Sequence, residues 1–216
     1  MNEINLFHID NLEFMKNCED GKYDLAICDP PYGKAVNMSG GGRYARYENH
    51  FVPLNVAPPD EFFTQLFRVS KNQIIWGGNY FKLPPTRGFI VWDKKQPEDF
   101  TFSMAEYAWS SFNRNSLMFR GVSRSNGGGY DKRFHPTQKP IALYRWLLKH
   151  YAKPGNKIFD PHGGSFSCAI ACLLDGFDCD SCELDDMYFY KGKERFEHYK
   201  TEMENQLTFD FEAHHE

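Results

Sequence analysis

The reading of the fold turns on KIFDPHGGSFSCAIACLLDGFDCDSCE, residues 157–183. Lys157 to Asp160 is a short strand-like run closed by an acid. Pro161 and the pair Gly163 and Gly164 interrupt it, Ser165–Leu174 resumes with helical spacing, and Asp178–Glu183 forms a second strand that also ends in an acid. A helix that opens on a glycine turn leaves its first N–H groups facing that turn, a cradle for a polar ligand. Taken alone, such a turn is as readily structural as functional. Glu183 follows Gly164 by 19 residues. That is the interval at which an acid on the next strand end can hold ribose hydroxyls, and the two features together favour a nucleoside-containing cofactor.

Outward from this unit the same alternation runs along the chain. Ile4–His8 reads as a strand, Asn11–Cys18 as a helix capped by Asp10 or Asn11, and Asp24–Asp29 as a strand. Helix Asp60–Val69 precedes strand Gln73–Trp76, which ends in GGNYF. A strand over Gly88–Trp92 and two more between about Met104 and Arg120 read as antiparallel additions at one edge. Pro140 opens IALYRWLLKHY, whose apolar residues recur at three and four, and Asp185–Tyr199 is the last helix. The expectation is one α/β domain over residues 1–200, Rossmann-like, with a mostly parallel sheet and helices on both faces. Such sheets place ligands at the carboxyl ends of their strands. There Asp29, Asp160 and Glu183, each closing a strand, and Asp10, following a fourth, line one crevice. Residues 33–59 form a long loop containing SGGGR, and 201–216 an acidic tail expected to fray.

YDLAICDPPYG, residues 23–33, carries the second signal. A buried strand ends in a carboxylate, two prolines and an aromatic. The prolines hold φ near −65° and remove two N–H donors, so the carbonyls are fixed and unmatched by nearby donors. What results is an acceptor array, the Asp29 carboxylate and the Pro30 carbonyl, with Tyr32 beside it as a flat platform. Acceptors without donors suit a substrate group with only hydrogens to give, such as an aromatic amine.

Composition sets the frame. With 216 residues, 41% hydrophobic and 17% aromatic, the chain can bury one substantial core and is short for two. No run approaches the roughly 18 apolar residues of a membrane span, and MNEINLFHID lacks a signal layout, so a soluble, cytoplasmic protein is expected. The six cysteines (18, 28, 168, 172, 179, 182) then read as reduced thiols, and Cys179 and Cys182 flank a strand rather than a zinc knuckle. Net charge is −4, yet residues 33–139 carry 15 Lys and Arg against 8 Asp and Glu, while 175–216 carry 4 against 13. A basic face on an acidic protein gives that asymmetry, and phosphate binding depends on local charge.

DPPY, then HPTQKP at residues 135–140, then FDPHGG at 159–164, in that order, resemble the S-adenosylmethionine-dependent amino-methyltransferases of DNA in their permuted (β-class) arrangement. Asp before PPY resembles the adenine-N6 enzymes more than the cytosine-N4 ones. The resemblance implies a base flipped from duplex DNA and stacked on Tyr32, with its amino group held by Asp29 and Pro30 and with Pro31 stiffening the turn. It also implies that Asp160, Gly163, Gly164 and Ser165 approach the methionine part of the cofactor, that Glu183 holds its ribose, and that Asp10 lies near its adenine. Thr137 and Lys139 would hold its carboxylate. No metal is implied, and the family is typical of bacterial or phage restriction-modification.

The match departs from the family at the donor loop. Its usual Asp-Pro-Phe-x-Gly-Ser-Gly-Thr is here Asp160-Pro161-His162-Gly163-Gly164-Ser165-Phe166-Ser167. Phe166 replaces a glycine, and a bulky residue dislikes positive φ and can fill cofactor space. Either the shifted glycine pair compensates or the chain is a non-catalytic DNA-binding subunit. The recognition region, about 100–134, is short. Arg114, Arg120, Arg124, Lys132 and Arg133 give it five cations for phosphate contact. Cytosine-N4 or RNA as target, and a homodimer, stay open at this stage.

Overall fold

The computed structural model describes residues 2–33, 56–97, 103–121 and 133–213. In chain order the elements are β1 (Ile4–His8), α1 (Asn11–Lys16), β2 (Leu25–Cys28), α2 (Asp60–Val69), β3 (Gln73–Trp76), a 3-10 turn (Gly78–Tyr80), β4 (Ile90–Asp93), β5 (Ala105–Ser110) and β6 (Leu117–Arg120). There follow α3 (Ile141–Tyr151), β7 (Lys157–Asp160), α4 (Ser167–Asp175), β8 (Asp178–Glu183) and α5 (Asp186–Ala213).

The strands make one sheet in the order β1-β8-β7-β2-β3-β5-β4-β6. The sheet is mostly parallel, as expected, and the antiparallel pairing comes from β5 alone among the described strands. It opposes both β3 and β4, whereas β4 and β6 pair parallel. The reason is the stretch from Phe81 to Phe89, which returns the chain to the amino end of the sheet before β4 starts, so β4 runs with the parallel set.

Alternation along the central strands sorts their side chains to two faces. Leu25, Ile27, Ile74, Trp76 and Ile158 pack with Leu143, Leu147 and Leu148 of α3 and Ile170 of α4. Ala26, Cys28, Ile75 and Phe159 pack with Met15 of α1 and Phe62 and Leu66 of α2. With both faces covered, β2 and β3 are buried throughout, and each large apolar side chain there contributes about 1.5–3 kcal/mol. The α4 helix is buried from Ser167 to Leu173 and reaches the surface only at Leu174 and Asp175. Cys168 and Cys172, with Cys179 and Cys182 of β8, are buried free thiols. Among the described residues no helix is long and apolar enough to cross a membrane.

The tail departs from expectation. Instead of fraying after Thr201, α5 stays helical to Ala213. No glycine or proline interrupts residues 193–213. His198 pairs with Glu202 at i,i+4, and the Thr201 hydroxyl donates to the Glu197 carbonyl.

Topology places the crevice. β7 and β2 are neighbours, yet the chain runs outward from them in opposite senses, β7 to β8 and β2 to β3. That reversal opens a gap at the carboxyl ends of the strands. Adjacent strands β1, β8, β7 and β2 therefore present Asp10, Glu183, Asp160 and Asp29 in a row.

Candidate active site

Three turns meet over this gap. The first follows β2. Asp29 accepts the Tyr32 hydroxyl on Oδ1 at 2.8 Å and the Lys139 ammonium on Oδ2 at 2.7 Å. Burial pushes the Asp29 carboxyl up, and Lys139 opposes that rise. The Tyr32 ring stacks on Tyr80 with centroids 5.0 Å apart and planes at 22°. The ring also meets Phe81 edge-on at 6.3 Å and Gly77, at φ 65°, where a Cβ would lie 2.3 Å from Tyr32 Cε1. Only glycine permits that approach.

The second turn follows β7. Asp160 is buried and accepts the His162 N–H at 3.1 Å; burial raises its carboxyl well above the usual range. Asn11 approaches His162 Nε2 at 3.1 Å and also donates to the Pro161 carbonyl. Since the amide donates, Nε2 accepts and the proton sits on Nδ1, which points at Cys28 Sγ 3.5 Å away. Burial holds the His162 imidazole down at about 3, so it is neutral at physiological pH. Cys28 and His162 thereby tie the end of β2 to the second turn.

Phe166 occupies the glycine position of this turn with φ 53°, in the left-handed region that costs a non-glycine residue about 1–2 kcal/mol. The strain is held by packing. Its ring is fully buried, edge-on to Phe189, in a slot between Gly163 and Gly192. A Cβ on either glycine would meet the ring, at 2.3 and 2.7 Å. The Phe166 ring belongs to the core cluster that also holds Phe189 and Phe196 of α5, and none of it is exposed.

The third turn is HPTQKP. His135 packs over Gly164 and edge-on to Tyr188 at 4.3 Å. Burial, with Arg133 and Lys139 nearby, holds it at about 3. Its Nδ1 receives the Thr137 N–H at 3.3 Å and lies 3.2 Å from the Thr137 hydroxyl. At the end of β8, Glu183 accepts the Gly164 N–H at 2.7 Å on Oε2 and the Asp185 N–H at 2.8 Å on Oε1. Burial raises its carboxyl, and these bonds partly offset the rise.

Most of the site residues named from sequence thus converge: Asp29, Pro30, Pro31 and Tyr32 on one side, and Asp160, Gly163, Gly164, Thr137 and Glu183 on the other, whereas Ser165 is buried with its hydroxyl on Ser167 and its carbonyl on Arg195. Asp10 caps α1, as one of its two candidate caps, by accepting the Glu13 N–H at 2.9 Å. Two placements depart from the reading. Lys139, expected toward a cofactor carboxylate, faces Asp29 and Glu106. Arg114 lies at the opposite end of the sheet, donating to the His150 carbonyl at 2.7 Å and covering the Tyr151 ring. That pairing removes it from the crevice side, because β5 runs backward and ends at the sheet's amino edge. Arg120 closes β6 on the crevice side, exposed, 3.7 Å from Asp93. Arg133 donates to carbonyls of the third turn. Arg124, Lys132, most of the 33–59 loop and much of the 100–134 region lie outside the described residues.

Sequence reading missed Glu106, Gly77, Tyr80 and Gly192. A lone acid inside the strand AEYAWS was the available signal for Glu106. Gly77 and Tyr80 lie in the GGNYF that closes β3, and nothing local marked Gly192.

A family model described as a DNA methylase of the N6/N4 type matches residues 75–194. Type II methyltransferase M.HpaI of Haemophilus parainfluenzae is 22% identical over 228 residues, which span 86% of this chain and 72% of that protein. Among solved structures, an M1.HpyAVI–SAM complex superposes with TM-score 0.59 at 20% identity, covering 89% of this chain and 98% of that one. PvuII DNA methyltransferase, described as cytosine-N4-specific, gives 0.64 at 13% identity, covering 91% and 87%. These two show the fold. The family match spans more than half of the sequence, and the chain belongs to the N6/N4 DNA methylase family.

Proposed function

We propose that this member of the N6/N4 DNA methylase family transfers a methyl group from S-adenosylmethionine to the N6 amino group of an adenine flipped out of duplex DNA. The observation that carries the reading is the Asp29 carboxylate, fixed at the end of β2 beside the Tyr32 ring and facing the donor-side turns across the β7–β2 gap. The amine lone pair of adenine is delocalised into its ring. Hydrogen bonds from that NH2 to Asp29 and the Pro30 carbonyl orient it for in-line attack, so positioning and electrostatics supply most of the acceleration. Tyr32 offers the base an aromatic face.

The residues of the donor half fit the cofactor. Asp160 is a buried carboxyl group with acceptor capacity beyond its one backbone bond, and an ammonium beside it would offset the burial that favours its neutral form. Glu183, fixed by two backbone N–H groups, suits ribose hydroxyls. The Thr137 turn, with Gly163 and Gly164 beside it, suits a carboxylate. S-adenosylmethionine, when bound, supplies a sulfonium-activated methyl group. The reaction in this reading uses no metal. The seating of Phe166 in the core supports an active enzyme over a non-catalytic DNA-binding subunit.

Arg120, and Arg124, Lys132 and Arg133 by sequence position, serve the phosphate backbone in this reading. Asp29 before PPY favours adenine, whereas the likeness to a cytosine-N4 enzyme concerns the fold. Incubation with methyl-labelled cofactor and mixed-sequence duplex DNA, followed by digestion to nucleosides, tests the proposal. Label in N6-methyladenosine is expected. Label confined to N4-methylcytosine overturns the base assignment, and SAM binding without label overturns the activity.

A further inference from the structure

Lys139 is buried at 4% exposure. Its ammonium lies 2.7 Å from Asp29 Oδ2, 3.1 Å from Glu106 Oε2 and 5.2 Å above the centre of the Trp76 ring. An ammonium has three protons, and two carboxylates and an aromatic face already engage it. Glu106 projects from β5 and is itself paired with Lys94, so Lys139 is fixed from the far side of the site. We propose that Lys139 and Glu106 are positioning residues of the amino-acceptor site. Glu106 holds Lys139 against Asp29 Oδ2, and that anchor keeps Asp29 ionised with Oδ1 turned to the target amine.

The inference rests on the methyltransferase reading and deepens it. Asp29 Oδ1 already accepts the Tyr32 hydroxyl, and its remaining lone pair is free for one N–H of the base. A neutral carboxylic acid would serve poorly, because its proton makes it a donor toward a group that has only hydrogens to give. The groups acting on Asp29 are Lys139, Glu106 of β5, Tyr32 of its own turn, Tyr144 of α3, Asp160 of β7 and Cys28 of β2. Lys139 alone among them is a cation. Burial and the neighbouring carboxylates favour the neutral acid, and Lys139 opposes them.

The double variant Lys139→Met/Glu106→Gln removes the anchor without leaving either partner as a lone buried charge. Calorimetry should find its affinity for S-adenosylmethionine unchanged. Its kcat should fall at neutral pH and recover as pH rises, with the acid limb of the kcat–pH profile displaced upward, while Lys139→Arg keeps the wild-type profile. An unmoved limb overturns the proposal. So does an affinity weakened about tenfold or more with kcat restored at saturating cofactor, since that assigns Lys139 to the cofactor carboxylate. Carboxyl-13C NMR of labelled aspartate, with Asp29→Asn to assign the resonance, reads the same ionisation without cofactor or DNA. Wild-type Asp29 should be ionised at neutral pH, and a protonated Asp29 there overturns the proposal even if the double variant does not fold. A wild type that transfers no methyl group would overturn the methyltransferase reading, and the NMR titration would still decide the anchor.

Discussion

The carboxyl end of β2 is organised by charge, whereas the carboxyl end of β7 is organised by backbone conformation. At β2, Asp29 is fixed through side chains: Tyr32 on one oxygen, Lys139 on the other, and Glu106 behind Lys139. At β7, the chain is shaped by Gly163, by Gly164 with its N–H on Glu183, and by Phe166 held in a left-handed conformation between two glycines. Charge tolerates small shifts but fails when one partner is deleted. A packed turn tolerates loss of a polar group but fails when volume changes.

The largest expected effect is at Asp29. Asp29→Ala should lower methyl transfer by roughly 10²–10³-fold or more while calorimetry finds S-adenosylmethionine binding retained. If binding falls in parallel, the two halves are not separable as described. Next is Phe166. Phe166→Gly relieves the left-handed strain of about 1–2 kcal/mol but empties a buried ring worth about 3–5 kcal/mol. Net destabilisation by about 1–4 kcal/mol is therefore expected in denaturant unfolding. Gly192→Ala, which would press a methyl on the Phe166 ring and on the Gly164 carbonyl, should destabilise by about 1–3 kcal/mol and weaken cofactor binding. A stabilised Phe166→Gly would show that the ring is not what holds the turn.

Glu183 gives a pH prediction. Its carboxyl is raised by burial, so the fold binds that proton more tightly than the unfolded chain does. Its contribution to stability is present below the ordinary glutamate value and is lost as pH rises through the raised one. Cofactor affinity runs the other way: the ionised form accepts ribose hydroxyls, so affinity should weaken on acidification with a midpoint above the ordinary glutamate range, and Glu183→Gln should remove that dependence. The smallest effect is at Tyr32. Tyr32→Phe deletes one bond to Asp29 Oδ1 and keeps the stacking face, so transfer should drop by about tenfold, matching about 1.5 kcal/mol for a hydrogen bond to a charged group. A loss as large as that of Asp29→Ala would mean that Tyr32 does more than position the carboxylate.

The legible part of the molecule was the part written in local pattern. Strand Gln73–Trp76, helix Asp60–Val69 and the unit from Lys157 to Glu183 follow from spacing alone, because each buries a face against a neighbour whatever the tertiary detail. The row of acids followed too, since a strand end is a strand end in any parallel sheet. The direction of β4 and β6 did not, for it depends on where the loop after Tyr80 carries the chain. Lys139 was misdirected for a related reason. A lysine at a helix start is a generic anion site by sequence, and only the arrival of β5 with Glu106 beside Asp29 turns it toward the acceptor.

The sequence by itself determined the alternation of elements, the acids at the strand ends and the rigid acceptor turn at Asp29–Tyr32. These are consequences of period, of proline geometry and of the absence of donors, all properties of a few consecutive residues. The tertiary structure alone decided which partner each charge meets and whether Phe166 obstructs the crevice. Phe166 and Gly192 are 26 residues apart, as α4, β8 and the start of α5 intervene, and the slot exists only once α5 packs over the donor turn. Close packing couples residues by volume, and volume is shared between elements that the sequence leaves far apart.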